Sequence, residues 1–278
     1  FTGASCFLWI VLGLRKLLRS GVNRKNEGAG GEGGGKSGKS SGKSGKSLTG
    51  LLVLALFGFT PQAGLYFVTV KMLAPGITSL LLYLYPAFVL LLSALFLGKK
   101  PSKGQLAALA MSLFGCLLTF FKPGKYPILG LLLGVLVAMA YGIYLVVGEK
   151  ILAGFDPLFS TAVIMTVAGT VYWALLIAGG MPLKAPSSAK DWLFVAGIAL
   201  VATVLPITTL FSAMSRVGAA NTSLISTIEP VSTVLLSVLF LGEELTAGRI
   251  WGGAFIVGGV VALRVFSRSR PQTESNRN

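Results

Sequence analysis

The sequence has no histidine, two cysteines and nine acidic residues among its 278 positions. Without histidine it lacks the commonest metal ligand and the commonest general base near neutral pH. Cys6 and Cys116 each sit inside an apolar run, where a thiol packs as a small hydrophobe, and they say nothing of disulfides. No paired carboxylates fall on one face of an apolar segment, and no nucleophile has a base at hand. Bond-breaking chemistry is therefore not expected, nor is any cofactor or metal. Charged residues make up only 12%, against roughly 25% in a soluble domain. What fills their place is 54% hydrophobic residues and a mean hydropathy of +0.79, which mark a membrane protein. A net charge of +15 would suggest a nucleic-acid partner in a soluble chain. Here the basic residues lie between and beside apolar runs, so lipid is the expected partner and nucleic acid is not.

The stretch Thr222 to Glu244, TSLISTIEPVSTVLLSVLFLGEE, is apolar from Leu224 to Leu241 apart from some hydroxyls and one carboxylate, Glu229, directly before Pro230. About 20 residues at 1.5 Å each cross the roughly 30 Å hydrocarbon core of a bilayer, and this run is that long. An ionisable group at such depth is expensive in lipid and normally faces protein or a wet cavity. Thr78 to Lys100 reads TSLLLYLYPAFVLLLSALFLGKK, and laying Pro86 on Pro230 sets an offset of 144 residues. At that offset Thr78, Ser79 and Leu80 repeat as Thr222, Ser223 and Leu224. The closing Leu95, Phe96, Leu97 and Gly98 repeat as Leu239, Phe240, Leu241 and Gly242. A shared Thr-Ser pair, proline and Phe-Leu-Gly in register is an internal repeat, and in a membrane protein such a repeat points to a secondary transporter.

A helix with Glu-Pro or x-Pro at its middle, closing on L-F-L-G-E-E and followed by a glycine-rich last helix, resembles the EamA family of the drug/metabolite transporter superfamily. The resemblance covers Leu51 to about Val265. It implies an all-α, polytopic membrane helix bundle of two inverted five-helix repeats, ten helices in full, of which about nine are expected here. The chain departs from the family pattern at Gly98-Lys99-Lys100, where the family often has Gly-Glu, and at Tyr85-Pro86. One helix also looks missing at the start, so an N-terminal truncation is expected.

Along the chain, 1–19 reads as a partial transmembrane helix and 20–47 as a Gly/Lys/Ser low-complexity cytoplasmic linker. Two literal Walker patterns, Gly30 to Ser37 and Gly33 to Ser40, fall in that linker. They lack the preceding strand and following helix that a phosphate loop needs, so a flexible basic linker is the better reading. Residues 48–122 form the remainder of the first repeat, with a break expected at Thr60-Pro61-Gln62. Residues 126–265 form the second repeat and 266–278 a cytoplasmic tail. Glycines such as Gly252 and Gly259 in the last helix, and Gly130, Gly134 and Gly142 in another, form small-residue packing seams.

With the C-terminus placed in the cytoplasm, 18 of the 24 basic residues fall inside, the bias of the positive-inside rule. A multi-pass protein of the cell membrane (inner or plasma membrane) is the expectation. The two motif copies then end on opposite sides, Lys99 and Lys100 inside and Glu243 and Glu244 outside, so the halves must be inverted.

Polar groups at membrane depth are the candidate site. Glu229 is the first, expected to bind substrate or couple protons, with a purely structural hydrogen-bonding role as the plain alternative. Gln62, Tyr85, Tyr144 and Thr208 are the further substrate candidates, with Tyr66, Tyr141, Thr203 and Ser226 as possible lining. Pro61, Pro86, Pro206 and Pro230 are expected helix kinks, since an interior proline removes one hydrogen bond and frees a carbonyl that can face a cavity. No Lys or Arg lies mid-span, which argues against phosphate esters and for a neutral or zwitterionic solute. The leading reading is a secondary carrier of a small organic metabolite or drug-like solute, working by alternating access, with protons as candidate coupling partner. The alternative is a non-transporting membrane scaffold or receptor. An ATP-driven pump fails for want of a nucleotide-binding domain.

Overall fold

A computed structural model describes residues 4–5, 7–13, 48–180, 186–242 and 244–268. The linker 20–47, both Walker matches, Cys6, Glu243 and the tail beyond 268 lie outside the described residues. Every regular element among those described is helical. We label them α1 (7–13), α2 (Leu48–Met72), α3 (Pro75–Leu82), α4 (Tyr85–Leu97), α5 (Lys103–Phe120), α6 (Ile128–Leu152), α7 (Pro157–Ala178), α8 (Ala189–Ser226), α9 (Glu229–Leu241) and α10 (Ala247–Arg268). Among the described residues, seven helical stretches are long and apolar enough to cross a membrane, Pro75–Leu97 counted as one of them, with Glu229–Phe240 shorter. The fold is all-α and polytopic.

Helix starts follow local chemistry. Ser102 and Gln105 make a reciprocal capping box at α5, and Ser188 and Asp191 do the same at α8. Asp156 accepts from the N–H of Leu158 at 2.9 Å, and Pro157 follows at the first helical position, where its missing N–H costs nothing. Both α4 and α9 end on a left-handed glycine: Gly98 at φ 64° donates to the Ser93 carbonyl, and Gly242 at φ 66° to that of Ser237. All four residues correspond at the 144-residue offset.

The prolines act in two ways. The expected break at Thr60-Pro61-Gln62 is absent: α2 runs on, because a π-turn over Leu54–Phe59 precedes Pro61. The N–H of Thr60 bonds the carbonyl of Ala55, five residues back, and the widened turn relieves the clash a proline ring makes with a regular helix. Leu200–Val204 forms the same turn before Pro206, with Leu205 bonded to Leu200. Pro86 and Pro230 are different. Each stands second in a new helix, after a two-residue turn at Tyr83-Leu84 or Thr227-Ile228. The two apolar runs read as continuous spans are thus each cut in two. Helix α8 carries one more break, at Gly218 (φ 82°, ψ 165°).

Contacts among the described residues divide the chain into two units, and each takes segments from both halves of the repeat. The first joins residues up to Thr60 with Lys150–Ser215. Its centre is α7, where Ser160 through Met165 are buried on every side. Thr166 donates to the Ala162 carbonyl, so its oxygen accepts from Trp9 Nε1 at 3.0 Å, and Ser5 lies at 2.6 Å. Tyr172 donates to the Thr60 carbonyl at 2.7 Å, next to the π-turn.

The second unit joins Pro61–Glu149 with the residues from Arg216 onward. Its tightest seam is α5 against α10. A methyl group on Gly115 would come within 2.5 Å of the Gly252 carbonyl, and one on Gly259 within 3.0 Å of that of Ala108. Along α6, a methyl on Gly134 would come within 2.4 Å of Leu81 and one on Gly142 within 2.8 Å of Phe88. Backbones approach that closely only where side chains are missing, which is how helices associate when lipid removes the hydrophobic drive. Leu91, Leu95 and Phe96 on α4 stay exposed, and so do their equivalents Leu235, Leu239 and Phe240 on α9. Both form exposed apolar ridges.

Candidate functional site

The second unit brings its two broken helices into contact. Tyr85, the first residue of α4, is buried and donates from its hydroxyl to the carbonyl of Ser223, at 3.2 Å. Ser223 belongs to the short segment 219–226 that precedes the break before α9. The Tyr85 ring lies 4.8 Å from that of Tyr141, tilted by 57°, and Tyr141 stacks on Tyr144 at 6.1 Å. Tyrosines 141 and 144 share a face of α6, three residues apart. Tyr83, in the break itself, stacks on Phe120 at 6.0 Å. This is an aromatic lining around one interrupted helix.

Glu229 occupies the position of α9 that Tyr85 occupies in α4, and its side chain is exposed where that of Tyr85 is buried. The carboxylate lies within electrostatic reach of Tyr66, Tyr83, Tyr85 and Tyr141. It stands in the first turn of α9, at the helix end whose dipole favours negative charge. The break itself is held by Thr227, which donates to the Leu224 carbonyl at 2.6 Å. Ser112 on α5 therefore donates to the Thr227 oxygen, at 3.0 Å.

Of the residues singled out in the sequence, Tyr85, Tyr144 and Glu229 thus belong to one aromatic and acidic cluster, linked through Tyr141. Gln62 is buried on α2 one turn before Tyr66, on the same helix face. Thr208 lies in the first unit, where it donates to the Thr161 hydroxyl at 3.1 Å. Pro61 and Pro206 follow π-turns, and Pro86 and Pro230 follow helix breaks.

One residue was not singled out. Glu149, near the end of α6, pairs with Lys99 and accepts from the backbone N–H of Ala219 at 3.1 Å. Its Oε1 lies 3.2 Å from where a side chain on Gly218 would begin. The carboxylate caps the helical segment that restarts after Gly218. A signal existed in the sequence: an acidic residue at the end of an apolar span in a chain with only nine of them.

Chemically, the cluster offers a carboxylate, phenol hydroxyls and aromatic faces beside interrupted backbone. That set can hold a small organic molecule and can accept a proton. Among the described residues, no group of three or more His, Cys, Asp or Glu side chains is arranged to hold a metal ion.

Comparison with known proteins adds the family. The model of the EamA-like transporter family matches residues 35–121 and again 128–265. An uncharacterized transporter of Archaeoglobus fulgidus is 26% identical over 211 residues, 76% of this chain and 74% of that protein. A protein of known crystal structure shares the fold at TM-score 0.73 and 20% identity, covering 95% of this chain and 85% of its own. With most of the chain matched in two tandem copies, this multi-pass membrane protein belongs to the EamA-like transporter family.

Proposed function

We propose that the protein is a secondary carrier of a small organic solute, working by alternating access between inverted repeats 48–122 and 126–265. The observation that carries this reading is the paired helix breaks. Tyr83-Leu84 and Thr227-Ile228 correspond at the 144-residue offset, and Tyr85 joins one broken helix to the other through Ser223. Interrupted helices with polar groups at the break are how transporters expose backbone and side chains to a solute at membrane depth. Glu229 beside tyrosine faces suits a solute carrying an amine, since a carboxylate and aromatic rings both attract an ammonium group. A zwitterion or a neutral amine fits better than a phosphate ester. Glu229 is also the group we assign to proton coupling. A cytoplasmic C-terminus in a cell-membrane protein is part of the proposal, and the charge bias supports it.

The test is uptake of a panel of amine-bearing solutes into proteoliposomes, with and without a pH gradient, for the parent chain and Glu229→Gln. The reading expects gradient-driven uptake to collapse in the variant. Unchanged uptake under both conditions would remove Glu229 from the mechanism.

A further inference from the structure

We propose that the second unit carries a separate anion site, built to hold a phosphate group at the membrane end where α4 gives way to α5. A cavity of about 280 Å³ opens there, lined by Lys99, Lys100, Ser102, Gln105 and Asn221, with Leu90 and Phe266 as apolar walls. It shares none of its lining with the tyrosine cluster.

The hydrogen bonds in the wall decide what the cavity offers. Ser102 Oγ accepts from the Gln105 N–H at 3.2 Å, and Gln105 Oε1 accepts from the Ser102 N–H at 2.9 Å. Asn221 Oδ1 accepts from Gln105 Nε2 at 2.9 Å, and Asn221 Nδ2 donates to the Val217 carbonyl at 3.1 Å. Each of these side-chain oxygens thus already accepts one bond. The Ser102 hydroxyl proton, the second Nε2 proton of Gln105 and the second Nδ2 proton of Asn221 stay available as donors, beside the ammonium groups of Lys99 and Lys100. Glu149 is turned to Lys99 and to Ala219, and among the described residues Lys100 has no carboxylate within ion-pair distance. Two ammonium groups with donors beside them favour an anion.

Its position selects the kind. Lys103 at the start of α5 and Arg216 just before Gly218 add charge at the same end, and apolar Leu90 and Phe266 adjoin the polar wall. A basic pocket between spans, polar on one side and apolar on the other, matches an anionic phospholipid headgroup with the start of its chains. A soluble phosphate shares the recognising chemistry and is the other source.

Native mass spectrometry of the full chain, purified with a mixture of phosphatidylglycerol and phosphatidylcholine, reads this directly. Gln105→Glu is the sharpest variant, since glutamate keeps the capping box while placing negative charge in the cavity. Lys100→Gln is the second, and Lys122→Gln, in the turn before α6, is the control. We expect several-fold preference for phosphatidylglycerol in the parent chain and in Lys122→Gln, lost in both cavity variants. In a second arm, inorganic phosphate is titrated against chloride at matched ionic strength. A rise in unfolding temperature for the parent chain but not for Gln105→Glu, without lipid preference, would assign the site to soluble phosphate. If neither lipid preference nor phosphate response differs between the parent chain and Gln105→Glu, the site is not there.

Discussion

Glu149 accepts a hydrogen bond from the backbone N–H of Ala219, 70 residues further along the chain, and so caps the helical segment that restarts after Gly218. The same carboxylate pairs with Lys99, whose side chain is 54% exposed. Magnitudes separate the two contacts. An exposed ion pair contributes about 0–1 kcal/mol, while an orphaned N–H away from water costs about 1–3 kcal/mol. Lys99→Ala should therefore be nearly neutral and Glu149→Ala clearly destabilising. Glu149→Gln, which keeps an acceptor, should fall between them. Unfolding midpoints in detergent, read by circular dichroism, check the order.

Gly218 has φ 82° and ψ 165°, a region only glycine enters freely. A side chain there would also begin 3.2 Å from Glu149 Oε1. Gly218→Ala should cost about 1–3 kcal/mol by the same unfolding measurement. Gly98→Ala, at φ 64° with nothing within 4 Å, should cost less, about 1 kcal/mol, because strain acts there without a clash.

Much of this fold was legible in the sequence. The Thr-Ser pair, the proline and the closing Phe-Leu-Gly repeat in register, and they recur in the structure as matching breaks and matching glycine caps. What escaped was backbone geometry. A proline in an apolar run reads equally as a break or as a π-turn, because both tolerate its missing N–H; Pro61 proved to follow the turn and Pro86 the break. The breaks themselves hid behind Leu84 and Ile228, residues as apolar as any in a continuous span. Glu149 was visible in the sequence as a carboxylate ending an apolar span, but its contact with the Ala219 backbone N–H was not, because no side-chain pattern marks a backbone partner. The candidate site was half legible: Tyr85 and Glu229 could be placed at equivalent positions, but not the contact of Tyr85 with Ser223.

Gly252 and Gly253 are neighbours with opposite surroundings. A methyl on Gly252 would come 2.2 Å from Thr119 Oγ1, whereas one on Gly253 would meet Val231 at 3.9 Å. Gly252→Ala should force α5 and α10 apart at a cost of about 1–3 kcal/mol. Gly253→Ala should be neutral or stabilise by up to about 1 kcal/mol through helix propensity. A reversed order in the unfolding midpoints would mean that the two helices pack on another face.

Tyr85→Phe removes one buried hydroxyl and its bond to Ser223 while keeping the ring against Tyr141. The expected loss is about 1 kcal/mol of stability. In a transport assay the same variant should raise KM more than it lowers the maximal rate if the broken helices hold the solute. Equal KM with lost stability would make Tyr85 a packing residue only.

The most direct test of a carrier built from inverted halves is the side of the membrane on which the two copies of the repeated helix end. Lys100→Cys and Glu244→Cys, each in a background with Cys6 and Cys116 replaced by serine, are labelled in intact cells with a membrane-impermeant maleimide. The account predicts that only the Glu244→Cys protein reacts from outside, and that the Lys100→Cys protein reacts after the membrane is opened. Labelling of both from the same side would contradict it.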